Sequence, residues 1–285
     1  MKRVLLTGGS GFVGRNVKGY LSTVCELYTP HRQELNLLNE EEVREYLKKN
    51  RIDIIIHSAN PNPVKNPLDK AETMFEDSIR VFFNLYHSQD LYERMYTLGS
   101  GAEYGKSEDI SLIQEHEIGR FIPKDSYGLM KYTINKLIEQ SNKQCNLRIF
   151  ACYGPTDHES KFITHVINCC IENKDITIRQ NCYFDYMHVS DFAKILEYFI
   201  YNTPKYTSYN VCTGVRYTLE DIAKIVRDQM KKDNDIVILK EGWNKEYTGN
   251  NKRLLSEIGD YQFINLEEGI KMQIASEKGE RMDET

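Results

Sequence analysis

Apolar positions in the first half of the chain alternate between two periods. "RVLLTG" (3–8) is a short apolar run closed by glycine. "GFVGRNVKGYL" (11–21) then repeats Phe12, Val13, Val17 and Leu21 on one helical side, and "VCELYT" (24–29) is strand-like again. "NEEEVREYLKKN" (39–50) reads as a helix with acids in its first turn and lysines in its last, as the helix dipole favours. "DIIIHSA" (53–59) is a β-branched strand, 68–89 a long helical pattern and "RMYTLGS" (94–100) a fourth strand. A helix over 126–143 and a strand over 146–154 close the series. Repeated strand–helix–strand units with apolar strands predict an α/β fold: a doubly wound parallel sheet covered by helices on both faces.

Beyond Pro155 the pattern loses its regularity. Helices are expected at 159–172, 190–202, 218–231 and 265–275, and short strands near 176–179, 208–212 and 236–239. The expected organisation is a nucleotide-binding domain over 1–155 and a smaller C-terminal substrate lobe over 156–276. Part of that lobe, about 183–202, is expected to return to the first sheet, and 277–285 to form a frayed polar tail.

Composition narrows the function classes. The chain has 285 residues, 40% hydrophobic and 28% charged, as in ordinary globular proteins. A net charge of −5 gives no support for a nucleic-acid surface, and no apolar run is long enough for a membrane span. "MKRVLLTGG" meets glycine too early for a leader and reads as a buried strand. Seven scattered cysteines without C-x-x-C read as reduced thiols of a cytoplasmic protein. No His/Cys cluster has zinc spacing, so no metal is expected.

The chemistry begins at "TGGSGFVG", between the first strand and first helix. Gly8, Gly11 and Gly14 fit G-x-x-G-x-x-G, and Gly9, Gly11 and Gly14 fit G-x-G-x-x-G. Glycines there let backbone N–H groups approach a pyrophosphate at the helix N-terminus. A free ribose hydroxyl usually meets an acid at the end of the second strand, and a 2′-phosphate an arginine. Here His31 and Arg32 stand in that place, so NADP(H) is favoured, with NAD(H) the alternative.

"SYGLMKYTINK" (126–136) holds two Tyr-x-x-x-Lys pairs, Tyr127 with Lys131 and Tyr132 with Lys136, and the spacing recurs at Tyr201. Four residues separate neighbours on one helix face. A lysine ammonium beside a tyrosine favours the phenolate, which makes such a pair a candidate proton relay. Spacing alone does not choose between the pairs.

With the glycine turn, "GSGAEYG" (99–105) and "YGLMK", followed by "LRIFACYGP", "DYMHVSDFA" and "YNVCTG", the chain resembles the extended short-chain dehydrogenase/reductase family. More narrowly it looks like the nucleotide-sugar epimerase/dehydratase/reductase branch, and "HRQELNLLN" is similar to the 4-ketosugar reductases of the GDP-fucose synthase kind. The resemblance implies a Rossmann-type fold. It also implies a catalytic set of Ser100, Tyr127 and Lys131, leaving Tyr132 and Lys136 as bystanders. Cofactor contacts are implied at Gly8, Gly11, Phe12, Val13, Arg32, Asn36, Leu37, Ser58, Ala59, Tyr127 and Lys131.

Absent residues narrow the reaction. Gly101 and Ala102 stand where the 4,6-dehydratases of the family carry an Asp–Glu pair, which argues against water elimination. The cysteine of 3,5-epimerising relatives is also missing near Ala102. Reduction of a nucleotide-linked 4-keto sugar is therefore favoured, with 4-epimerisation the alternative and a non-catalytic dinucleotide sensor third. Phe184 replaces the arginine that commonly binds the substrate diphosphate, and Ala151 a substrate-binding asparagine. Ser100, Gly101, Tyr127, Arg179 and Lys245 are the candidate substrate residues, with Arg253 a further cation to consider. The partner is then a nucleotide-diphosphate sugar, and the family pattern implies a homodimer formed through the helices near 68–89 and 126–143.

Overall fold

In the computed structural model the described residues are 1–61 and 70–283. The strand–helix alternation of the first half is realised as β1 (Arg3–Thr7), α1 (Phe12–Val24), β2 (Glu26–Tyr28), α2 (Glu40–Asn50), β3 (Ile54–His57), α3 (Met74–His87), β4 (Arg94–Ser100). Then come β5 (Ile110–Ile113), α4 (Ser126–Ile138), β6 (Gln144–Ile149) and β7 (Ala151–Tyr153). The first two residues of the helix expected over 68–89 lie outside the described residues.

Local chemistry sets these boundaries. The Asn39 side chain accepts from the Glu41 and Glu42 N–H groups at the start of α2, Lys48 and Lys49 occupy its last turn, and Arg51 ends it in the left-handed conformation. Asp125 caps α4 by accepting from the Gly128 N–H at 2.8 Å.

The second half supplies α5 (Phe162–Glu172), β8 (Ile176–Asn181), β9 (Tyr183–Phe184), β10 (Tyr186–His188), α6 (Val189–Tyr201), β11 (Ser208–Val211) and β12 (Tyr217–Thr218). It ends with α7 (Leu219–Gln229), β13 (Ile236–Trp243), β14 (Tyr247–Gly249), α8 (Lys252–Ile258) and α9 (Leu266–Asp283). The last helix is longer than the 265–275 expected, and its backbone continues through the stretch read as a frayed tail as far as Asp283.

Six strands form the main sheet in the order β11-β6-β4-β3-β1-β2, every pairing parallel. β1 and β3 are buried almost throughout, which is why they read as continuous apolar runs. On one face α1 and α6 pack Val17, Leu21, Phe192, Leu196 and Phe199 against Val4 and Leu6. On the other, α2, α3 and α4 bury Val43, Leu47, Phe82, Leu85, Met130 and Ile134.

Residues beyond 155 thus return to this sheet. From 183–202 the contribution is helix α6, and the strand that joins the edge comes later, at 208–211. A second unit, with its own core of α5, α7, α9 and β8, carries a four-stranded sheet ordered β12-β9-β14-β5. Chain order reverses between β2 and β3 around β1, so the crevice at the carboxyl end of β1 is a topological switch point, where open α/β sheets bind ligands.

Candidate functional site

Gly8 follows β1 with φ +71°, in the left-handed region, and a Cβ there would lie 2.7 Å from the Ala59 nitrogen. The Gly11 N–H donates to the Gly8 carbonyl at 3.0 Å, closing the turn. A Cβ on Gly14 would run into that same carbonyl, so glycine brings α1 close to the turn. α1 starts at Gly11 with no side-chain cap and no acid in its first turn. Its open N–H groups are what a phosphate requires, and side chains at the glycines would fill the cradle.

This turn lines a cleft of about 1520 Å³ between the main sheet and the second unit. That volume exceeds the roughly 300–1,000 Å³ of a single drug-sized site, leaving room for a dinucleotide and a second ligand. Gly8, Gly11, Phe12 and Val13 of the glycine turn line it, with Arg32, Asn36 and Leu37 after β2 and Ser58 and Ala59 after β3. Two cations absent from the sequence-based expectation, Arg15 and Lys18, join Arg32 along the lining. The Ala59 N–H donates to Thr7 Oγ1 at 3.1 Å, and Thr7 Oγ1 pairs with His57 Nδ1 at 2.9 Å. Burial, aided by the Lys131 charge, drives the His57 pKa down to about 3, so its ring is neutral.

Ser100, Tyr127 and Lys131 meet in the same cleft. Ser100 ends β4, and its Oγ accepts from the Ala102 N–H at 3.2 Å. Its hydroxyl is also within hydrogen-bonding influence of the phenols of Tyr127 and Tyr247. Lys131 is buried, donates to the Leu98 carbonyl at 2.8 Å and has its ammonium 5.9 Å from the Tyr127 ring centroid. Burial lowers the Lys131 pKa to about 8, with Glu103 opposing the fall. Burial raises the Tyr127 phenol, the nearby Ser100 hydroxyl draws it back, and Glu103 and Asp125 add to the rise. In this geometry Tyr127 is a neutral acid with a donor cation at its side.

The other Tyr-x-x-x-Lys pairs are engaged elsewhere. Lys136 pairs with Glu139 at 2.9 Å, and the Tyr201 hydroxyl donates to the Val24 carbonyl.

The substrate side departs from expectation. Arg179 alternates with buried Ile176 and Ile178 on β8 and is exposed outside the cleft lining, and Lys245 is exposed in the link before β14. Gly101 is buried behind the lining, where a Cβ would meet the Tyr247 hydroxyl at 2.6 Å. Arg253 is used structurally, donating to the Ser208 carbonyl and lying over the Tyr206 ring.

Four residues that the sequence reading did not single out stand here instead. Lys106, Lys161 and Tyr247 line the cleft, with Lys106 Nζ 5.2 Å from the Tyr247 ring centroid. Desolvation lowers the Lys106 pKa, as does the nearby Lys161 charge, with Asp125 opposing. Glu103 lies behind Ser100, fully buried. Glu103 lies within the quoted "GSGAEYG" and Lys106 directly follows it, so both were legible in principle. Tyr247 sits on a three-residue strand without a periodic signal.

Among the described residues no group of His, Cys, Asp and Glu is arranged to hold a metal ion, and no helix is long and apolar enough to cross a membrane.

The fold and cleft define an NAD(P)-dependent oxidoreductase/epimerase of the short-chain dehydrogenase type. More specifically, the chain belongs to the NAD dependent epimerase/dehydratase family, whose model matches residues 4–212. Among characterised relatives it is 26% identical to the GDP-L-colitose synthase of Yersinia pseudotuberculosis, over 94% of this chain and 95% of that one. Its fold matches the GDP-L-fucose synthetase of Naegleria fowleri bound to NADP, with a TM-score of 0.85, 14% identity and coverage of 99% of this chain and 94% of that one. It also matches the dTDP-glucose 4,6-dehydratase of Bacillus anthracis in complex with NAD, with a TM-score of 0.83, 15% identity and coverage of 99% and 98%.

Proposed function

We propose that this protein reduces a nucleotide-linked 4-keto sugar with NADPH. The observation that carries the reading is the convergence of Ser100, Tyr127 and Lys131 at one end of the dinucleotide-sized cleft, with Gly101 and Ala102 beside them in place of an acid–base pair. A nicotinamide dinucleotide held by the glycine turn would supply the hydride for C4 of the sugar. Ser100 Oγ hydrogen-bonds the ketone oxygen, and Tyr127 delivers its phenolic proton to that oxygen as charge develops there. Lys131, held as a cation between the Leu98 carbonyl and the Tyr127 ring, favours the tyrosinate that forms. The resemblance to GDP-colitose and GDP-fucose enzymes favours a nucleotide-diphosphate sugar as the partner.

With Phe184 in the arginine's place, Lys106 and Lys161 take over the diphosphate in this reading. Both line the cleft, and the Lys161 charge is near enough to lower the Lys106 pKa, a repulsion that a bound anion would relieve. Arg15, Lys18 and Arg32, on the same lining, suit the 2′-phosphate of NADP(H). Phe75, Ile79 and Phe83 repeat every fourth residue along the outer face of α3, partly exposed, and would be covered in a homodimer built on α3 and α4. Seven free cysteines, most of them buried, suit a cytoplasmic setting.

The test is a panel of nucleotide-linked 4-keto sugars with NADPH and NADH. Consumption of NADPH with a 4-keto substrate is the expected result. Interconversion of two 4-hydroxy sugars with no net change in NADPH would instead establish the 4-epimerase, which needs the same three side chains.

A further inference from the structure

Glu103 is an acid with no access to solvent, placed one turn beyond Ser100. Its Oε1 accepts the Ser100 N–H at 2.9 Å, and its Oε2 accepts from Arg148 Nε at 2.7 Å and from Asn146 Nδ2 at 2.9 Å. Arg148, equally buried on β6, spends its remaining donors away from the cleft, on Asn135 Oδ1 at 2.8 Å, the Tyr104 hydroxyl at 3.1 Å and Asn210 Oδ1 at 3.2 Å. A Cβ on Gly99 would collide with both Glu103 and Asn146, so the backbone of β4 is shaped around this carboxylate.

A buried ion pair is weak evidence for stability, because desolvation offsets much of its attraction. Its position suggests another use. We propose that Glu103 is a positioning residue for the reaction: it anchors Ser100 from behind the cleft and supplies a fixed negative charge beneath the Tyr127–Lys131 pair. The proposal rests on the reductase reading for its kinetic arm only.

The charged and titratable groups around this carboxylate come from four elements. Arg148 faces it from β6, Tyr104 from its own turn, Tyr127 and Lys131 from α4, and Tyr247 from β14. Glu115 acts on Arg148 from beyond, Asp125 on Tyr127, and Lys131 on His57 of β3. Glu103 raises the proton affinity of both Lys131 and Tyr127. Without it, both protons are lost at lower pH. Reduction needs the Tyr127 proton and the Lys131 charge, so the alkaline limb of the rate profile must move toward acid. An unpaired Arg148 pushes in the same direction.

The test compares the wild type with Glu103→Gln, Glu103→Asp and the double variant Glu103→Gln/Arg148→Met in the full chain. The double variant removes the ion pair without leaving a buried charge, and so guards against simple misfolding. Two readouts are taken. One is the pH dependence of kcat with NADPH. The other is the pH dependence of Lys131 acetylation by acetic anhydride, located by mass spectrometry, which needs no substrate.

In Glu103→Gln both the alkaline limb and the labelling midpoint should move about one pH unit or more toward acid from the wild-type value near 8, and in the double variant, which also loses the Arg148 cation, both should move the same way by a smaller step. Glu103→Asp, which keeps the charge but shortens its reach, should keep the midpoint while kcat falls about tenfold or more. A folded Glu103→Gln or double variant with an unshifted labelling midpoint would overturn the proposal. Absence of turnover in the wild type would sink the reductase reading alone, since the labelling arm still decides the role of Glu103.

Discussion

Lys131 stands 5.9 Å from the ring centroid of Tyr127, and Lys136 stands 5.6 Å from that of Tyr132, so one helix carries two copies of nearly the same geometry. Their surroundings differ. Lys131 is buried on the Leu98 carbonyl inside the cleft, whereas Lys136 is satisfied by Glu139 at the surface. Tyr127→Phe should therefore lower kcat by about 10²–10⁴-fold while leaving dinucleotide affinity within about twofold. Tyr132→Phe should leave kcat within about twofold. Steady-state kinetics and cofactor titration on the two variants check this, and a larger loss in Tyr132→Phe would reverse the assignment.

That contrast also marks what a sequence conveys here. Fold class was readable because β1 and β3 are buried on both faces and α1, α2 and α4 each carry one apolar stripe. The glycine turn was readable because its spacing answers to backbone geometry that only glycine meets, at Gly8 above all. The substrate wall was not. Its strands β5, β9, β12 and β14 are two to four residues long, and β5 pairs with β14 across more than a hundred intervening residues. No periodic signal survives at that length, so Tyr247 emerged only in three dimensions, as did the approach of Lys161 to Lys106. Arg179 and Lys245 had the right charge for the diphosphate, but the pleat of β8 turns the first outward and the second stands exposed before β14.

Tyr247 tests whether that wall takes part in the reaction. Its ring is fixed between Phe150 and Phe184, with centroids 5.3 and 5.5 Å away, and its hydroxyl lies beside Ser100 and the Ala102 N–H. Burial holds the phenol far above the ordinary tyrosine pKa, so it stays a neutral donor across the working range. Tyr247→Phe keeps the packing and removes a phenol that can hydrogen-bond beside Ser100, an interaction worth about 0.5–1.5 kcal/mol. The expected result is a roughly three- to tenfold lower kcat with little change in thermal stability. An unchanged kcat would confine Tyr247 to shaping the wall.

Gly14→Ala should separate cofactor binding from the chemistry. The added Cβ runs into the Gly8 carbonyl, which is backbone and cannot swing aside. Overpacking at such a contact costs about 1–3 kcal/mol and moves α1 off the phosphate cradle. Dinucleotide affinity should fall about tenfold or more, and the protein should melt several degrees lower. Calorimetric titration with NADPH measures the first and thermal unfolding the second. Wild-type affinity in this variant would show that the dinucleotide phosphates do not sit on the α1 N-terminus.

Two buried histidines weaken the fold toward acid pH. His57 has its pKa lowered to about 3 and His188 to about 4, burial being the first cause in each case. Both exceed their folded values once unfolded, where histidine titrates near 6.5. Below about pH 6.5 the unfolded chain therefore binds more protons than the native one, and stability falls as pH falls, down to the folded pKa values. At pH 4 each neutral ring opposes folding by about 3 kcal/mol, at one pKa unit per 1.36 kcal/mol. His188 also caps α6, its Nδ1 accepting from the Ser190 N–H at 3.3 Å. Asparagine keeps that capping function without titrating. Urea unfolding of His188→Asn between pH 4 and 7 should give a visibly shallower loss of stability toward acid than the wild type. Parallel curves for the two proteins would mean that His188 is already protonated in the fold, or exposed enough to titrate normally.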